Sequence, residues 1–214
     1  MLNYIISLFK DRQSSAILLL SCAILFIFIL PAFQLSSTSF SIILFSVILF
    51  IAAASISAKV LVIGMIAILT ELSTRATDFV YLHYFAELVT NLFIFFIVGS
   101  VIRDLMKETT ITIYSLVDAL NGYLLLGMLF ASLVAFCELH IPGSFPMAKD
   151  TDMELMYYTF ITLTTVGYGD VTPNLPLAQS LSMLIAIAGQ FYVAIVVAII
   201  VGKYANVISN KEKS

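Results

Sequence analysis

The chain has 214 residues, 61% of them hydrophobic and only 11% charged, with a mean hydropathy of +1.09. A soluble domain averages about 45–50% apolar and about 25% charged residues, and a chain this small cannot hide such an excess from water. The same figures exclude disorder, and a net charge of −3 without any basic tract excludes a nucleic-acid partner. Cys22 and Cys137 sit inside apolar runs and form neither a disulfide framework nor a metal cluster. What remains is an all-α membrane protein with several spans and lipid around it.

Residues 1–13 are a cytoplasmic or interfacial segment, with Lys10 and Arg12 placed near lipid phosphates. No charge occurs from Gln13 to Ala58, a run of 46 residues. One span takes roughly 20 residues, so this run predicts two, Ser14–Phe33 and Ser39–Ser57. The first is too long for a secretory signal, and no small-x-small cleavage site follows it. Lys59 marks a tight turn, after which Val60–Leu72 and Phe79–Ile102 give a third and a fourth span. Residues 14–103 are thus a four-helix bundle. Residues 104–116 mix Leu105, Met106, Ile111 and Ile113 with Arg103, Lys107 and Glu108, the pattern of an interfacial linker helix. Val117–Leu139 is the fifth span, and Asp118 near its start either caps the helix or attracts cations.

Asp152–Thr164 is too short to cross. It opens on Asp152 and Glu154 and then turns apolar, as a short helix with carboxylates at its positive end does. Backbone that leaves the helix at membrane depth must be buried in protein or line a watery path, so this segment is a re-entrant loop. Leu177–Lys203 is the sixth span, and residues 205–214 are a short cytoplasmic tail with no room for a soluble ligand-binding domain. With the amino terminus inside, Lys10, Arg12, Lys59, Arg103, Lys107, Lys203, Lys211 and Lys213 are cytoplasmic, and only Arg75 and Lys149 lie outside. This bias places both termini on the cytoplasmic side of the cell membrane.

The short helix leads into Thr164-Thr165-Val166-Gly167-Tyr168-Gly169-Asp170. This string resembles the selectivity filter of tetrameric potassium channels, and the likeness extends over residues 117–204 as a pore domain of outer helix, pore helix, filter and inner helix. Physically, a dehydrated cation needs rings of oxygens in place of its water. Backbone carbonyls supply them without fixed charge, provided that successive ones point the same way, and Gly167 and Gly169 can take the backbone angles this demands. The carbonyls of Thr165, Val166, Gly167 and Tyr168 then hold K⁺, and the Thr165 hydroxyl closes the inner end. Val166 and Tyr168 turn away from the axis and pack behind the filter. Tyr157 and Tyr158 form an aromatic cuff, Thr162 and Thr164 support the strand, and Asp170 stands at the outer mouth, where it meets a pore-helix tyrosine or attracts cations. One loop gives one oxygen per ring, so four copies of the chain are needed, a homotetramer.

In the sixth span Gly189 marks either a hinge or a close helix contact. Val193, Val197 and Val201 share one side by helical spacing and give a hydrophobic cavity that gates by dewetting. The first four spans occupy the place of a voltage sensor but lack its repeated arginines. The fourth carries only Arg103, at its inner edge, so intrinsic voltage dependence is weak or absent. His83 and Glu87, four apart on that span, are either a proton-sensitive modulatory pair or an interfacial one. The expected function is passive K⁺ conduction with no enzyme activity and no cofactor beyond the permeant ions. The alternatives are a less selective cation channel and a non-conducting regulatory subunit; a secondary transporter would show two matching broken spans.

Overall fold

The computed structural model describes residues 12–29, 38–56, 58–74, 80–108, 111–146 and 152–212. Among these every regular element is a helix, and the chain divides into two compact units, residues 1–103 with 112–122 and residues 104–111 with 123–214.

In the first unit, α1 (Arg12–Ile24) continues as a π-helical stretch, Leu25–Ile29. It is followed by α2 (Thr38–Ile56), α3 (Ala58–Thr74) and most of α4 (Val80–Lys107). α2 lies against both α1 and α3. It is apolar on every side, and Ile48, Leu49, Ile51, Ala52 and Ala53 are buried. Gly64 of α3 is required by space: a Cβ there would stand 2.9 Å from Ala53 Cβ and 2.9 Å from the Phe93 ring. Small residues at such crossings let membrane helices approach closely. The first turns of α5 (Ile113–His140) join this unit, and Asn121 Nδ2 donates to the Ala16 carbonyl of α1 at 2.9 Å. Thr90 and Asn91 of α4 are buried, and Thr90 Oγ1 and Asn91 Oδ1 have no hydrogen-bond partner among the described residues.

The 104–116 segment is not a helix of its own. Residues 104–107 are the last turn of α4, held by the burial of Leu105 and suited by Lys107 at the negative helix end. α5 then starts at Ile113, four residues earlier than expected, because Thr112 and Ser115 form a reciprocal cap. Ser115 N–H donates to Thr112 Oγ1 at 3.3 Å, and Thr112 N–H donates to Ser115 Oγ at 3.1 Å. Asp118 is therefore inside the helix and does not cap it.

The second unit holds the rest of α5, then α6 (Asp152–Leu163) and α7 (Pro176–Glu212). α6 packs on α7. Gly127 of α5 brings the backbone against Phe160 of α6, whose ring carbons would lie 2.4 Å from an added Cβ. Pro176 opens α7 at the position where its missing N–H is not needed. α7 then runs past Lys203 to Glu212, so most of the expected 205–214 tail is helical.

Tyr84–Lys107, Ile113–His140 and Pro176–Ala205 are long and apolar enough to cross a bilayer. The apolar stretches of the first three helices, Ser15–Ile29, Ile43–Ile56 and Val60–Thr70, are shorter among the described residues. α6 has 12 residues, about 18 Å at 1.5 Å per residue, which is well short of a span and agrees with a re-entrant element.

Candidate functional site

α6 ends at Leu163 in a specific cap. Val166 N–H donates to the Ile161 carbonyl at 2.8 Å, and Thr165 N–H donates to the Thr162 carbonyl at 3.0 Å. These two bonds define a Schellman motif, whose left-handed position is usually filled by glycine. Here Thr165 fills it, with φ +62°. A residue with a Cβ gives up roughly 1–2 kcal/mol in that conformation, and a β-branched one has no local reason to adopt it. Gly167 and Gly169 follow at φ +52° and +80°, while Val166 and Tyr168 between them stay out of the positive region. The backbone therefore alternates in hand from 165 to 169. A Cβ on either glycine would meet nothing within 4 Å, so glycine is needed there for its backbone angles and not for space.

The Ile161 carbonyl also accepts Gly167 N–H at 3.1 Å and the Thr164 hydroxyl at 3.3 Å. Thr164 turns back on the helix, donating to the Phe160 carbonyl at 2.7 Å. At the far end of the strand Tyr157 donates its hydroxyl to Asp170 Oδ2 at 2.8 Å, and Asp170 Oδ1 accepts Val171 N–H at 3.1 Å. Hydrogen bonding to Asp170, then desolvation and the nearby negative charge, hold the Tyr157 phenol above its ordinary pKa.

Tyr158 behaves differently from the expected cuff. It is buried, its ring 5.0 Å from that of the fully buried Phe145, and its hydroxyl meets Ser182 Oγ of α7. Val166 and Tyr168 are 52% and 72% exposed within the chain, so the described residues of one chain do not cover them. Thr162 contributes through its carbonyl.

Beneath the loop, the Leu163 carbonyl accepts the Tyr123 hydroxyl at 3.3 Å. The Tyr123 ring in turn packs against that of Tyr192 of α7, centroids 5.6 Å apart and planes tilted by 50°. Gly189 lies against the same carbonyl, and a Cβ on it would fall 2.1 Å from Leu163 O. α7 is unbroken there, so close approach is what calls for glycine at 189. Next to it, Gln190 Nε2 reaches Thr165 Oγ1 at 3.5 Å. Above the loop, Glu138 at the end of α5 accepts Gly143 N–H at 2.8 Å and Phe145 N–H at 2.6 Å. Asn174 N–H ties the segment after the loop to Ser144 O at 2.9 Å.

α7 buries Ala178, Ile185, Tyr192 and Val196 and leaves Val193, Val197 and Val201 exposed, together with Phe191, Ala194, Ile195 and Ala198. Only 17% of its most apolar stretch is buried within the chain. Glu87 is half-buried on α4, and the His83 side chain lies outside the described residues. Among the described residues no group of three or more His, Cys, Asp or Glu is placed to hold a metal ion. Tyr123, Glu138, Phe145, Ser182 and Gln190 were not singled out in the sequence. An acid shortly before Pro142-Gly143 is the one local signal among them.

A short helix capped into a strand of alternating hand, between two long apolar helices, is the arrangement that comparison can now test. Residues 119–206 match the ion channel family. The region carrying the loop thus matches an ion-channel domain and not an enzyme, and the chain, whose described regular elements are all helices, is a multi-pass membrane protein. It is similar to potassium voltage-gated channel subfamily A member 10 of Mus musculus and of Homo sapiens, at 33% identity over 110 residues, which is 50% of this chain and 19% of each relative. It is also similar to the potassium voltage-gated channel protein Shal of Drosophila melanogaster, at 23% identity over 122 residues, 55% of this chain and 19% of that one. The channel domain thus matches about a fifth of the length of these relatives. No solved structure gives a significant match.

Proposed function

We propose that this chain is one subunit of a homotetrameric, K⁺-selective channel in the cell membrane. The observation that carries the reading is the alternation of backbone hand at Thr165, Gly167 and Gly169, rooted in the end of α6. In an ordinary strand successive carbonyls face opposite ways, whereas alternating left- and right-handed residues let them face one side. The carbonyls of Thr165, Val166, Gly167 and Tyr168, with the Thr165 hydroxyl, then replace the water shell of K⁺ without fixed charge. The names of the relatives support the choice of ion.

Two features support assembly around an axis. One chain has one such loop, and α7, Val166 and Tyr168 present apolar surface that the chain itself does not cover. Val193, Val197 and Val201 line the cavity and close it by dewetting. Both termini are cytoplasmic, and voltage has little to act on because Arg103 is the lone arginine of α4, in its last two turns. Apart from permeant K⁺ in the filter, no cofactor takes part.

The test is reconstitution of the purified chain in planar bilayers with K⁺ on one side and Na⁺ on the other. A reversal potential close to that for K⁺, and a conductance curve shallower than about four charges per tetramer, are expected. A reversal potential near zero refutes the selectivity, and vesicles that stay tight to K⁺ refute conduction.

A further inference from the structure

Thr165 is in the wrong place for its residue type, judged by the helix cap alone. The left-handed position of a Schellman motif is easiest for glycine, and a β-branched side chain resists it. That cost points to the side chain, and among the described residues the side-chain atom that reaches its hydroxyl comes from α7. Gln190 Nε2 stands 3.5 Å from Thr165 Oγ1, and both residues are exposed within the chain. The approach depends on its neighbour. Gly189 has no Cβ to collide with Leu163 O, so α7 lies close enough for residue 190 to reach the loop. Leu163 O is itself held by the Tyr123 hydroxyl, and the Tyr123 ring packs at a tilt against Tyr192, one turn further along α7. The base of the loop is thus fixed from α5 and α7 at once, and Gln190 is the part of that support that touches a proposed ligand group.

We infer that Gln190 is a positioning residue for the innermost cation site. Its amide donates to Thr165 Oγ1, selects the rotamer of that side chain, and leaves a lone pair of the hydroxyl free for the ion. A long hydrogen bond of this kind orients the ligand and does not replace it. The inference rests on the proposed function, because it takes Thr165 as a cation ligand.

The experiment measures single-channel conductance of the full chain in planar bilayers over a range of K⁺ concentration. Q190L and Q190M remove the donor at similar size, and gel filtration checks assembly; Q190M carries the test where Q190L fails to assemble. The half-saturating K⁺ concentration should rise about 2–10-fold, the range that one net hydrogen bond commands, with little change in maximal conductance. T165A should raise it as well, and the double variant T165A/Q190L should be no worse than T165A, since Gln190 acts through the hydroxyl. A purely structural glutamine would give effects that multiply. An unmoved half-saturation in both Gln190 variants, or multiplying effects, overturns the inference while the wild-type chain still conducts. A wild-type chain that passes no K⁺ overturns the proposed function, and this inference with it.

Discussion

Gly167 and Gly99 make a paired experiment on what glycine is for. A Cβ added at either position meets no atom within 4 Å. A steric argument therefore predicts that alanine is harmless at both. The backbone says otherwise: Gly167 has φ +52°, and Gly99 sits inside α4 with no positive φ. An L residue in the left-handed region costs roughly 1–2 kcal/mol, so G167A asks for about 4–8 kcal/mol from four loops at one axis. That is comparable with the whole stability of a domain, about 5–15 kcal/mol. The loop should relax out of its alternating form while the helices stay folded. G99A, by contrast, trades glycine for alanine in an exposed helix and should stabilise by about 0.5–1 kcal/mol. Thermal melting in detergent and K⁺ flux into liposomes separate the two. G167A should lose at least about tenfold in flux, because 1.4 kcal/mol already carries that factor. G99A should conduct normally and melt no lower than the parent. A G167A channel with parental flux and selectivity would refute the claim that backbone hand makes the site.

Other substitutions probe other contacts. G189A drives a Cβ into Leu163 O, a backbone atom that cannot swing aside, and should prevent stable assembly, seen as loss of the oligomer peak in gel filtration. E138A leaves Gly143 and Phe145 N–H groups without their carboxylate and should cost about 1.5–3 kcal/mol in melting experiments, with E138Q recovering part of it. T90V replaces an unpartnered buried hydroxyl with a methyl of the same shape and should stabilise by about 1 kcal/mol, measured the same way. The Tyr157–Asp170 bond needs a neutral phenol, and the folded pKa lies above the ordinary value. Its contribution is therefore complete below the usual tyrosine range and is lost only as pH rises through the raised value. Flux through the parent should hold steady through neutral pH and change at strongly alkaline pH, and Y157F should lack that alkaline limb.

The elements around residues 164–170 were legible because their signals are local. The short apolar run before that string and the long uncharged run after it are each contiguous, and each became a helix. The join between α4 and α5 was misjudged, since charge composition there resembles an interfacial helix, while the boundary is decided by Thr112 and Ser115 capping each other across three residues. The supports of the loop were invisible for a different reason. Tyr123 meets Leu163 across 40 residues and Gln190 meets Thr165 across 25, and neither polar side chain differs in the sequence from an ordinary helix residue. Exposure of Val166 and Tyr168 was not foreseeable either, because expecting them packed assumed neighbours that a single chain does not contain.

The carbonyl of Ile161 holds three donors, from Thr164, Val166 and Gly167. The first half of the 165–169 strand is in this way an extension of a helix, while among the described residues the far end is tethered chiefly through the carboxylate of Asp170. A strand clamped at its foot and moored at its tip by a single phenol has an uneven stiffness. On the proposed function, loss of the bound ions should loosen the strand first at Asp170 and last where the helical cap begins.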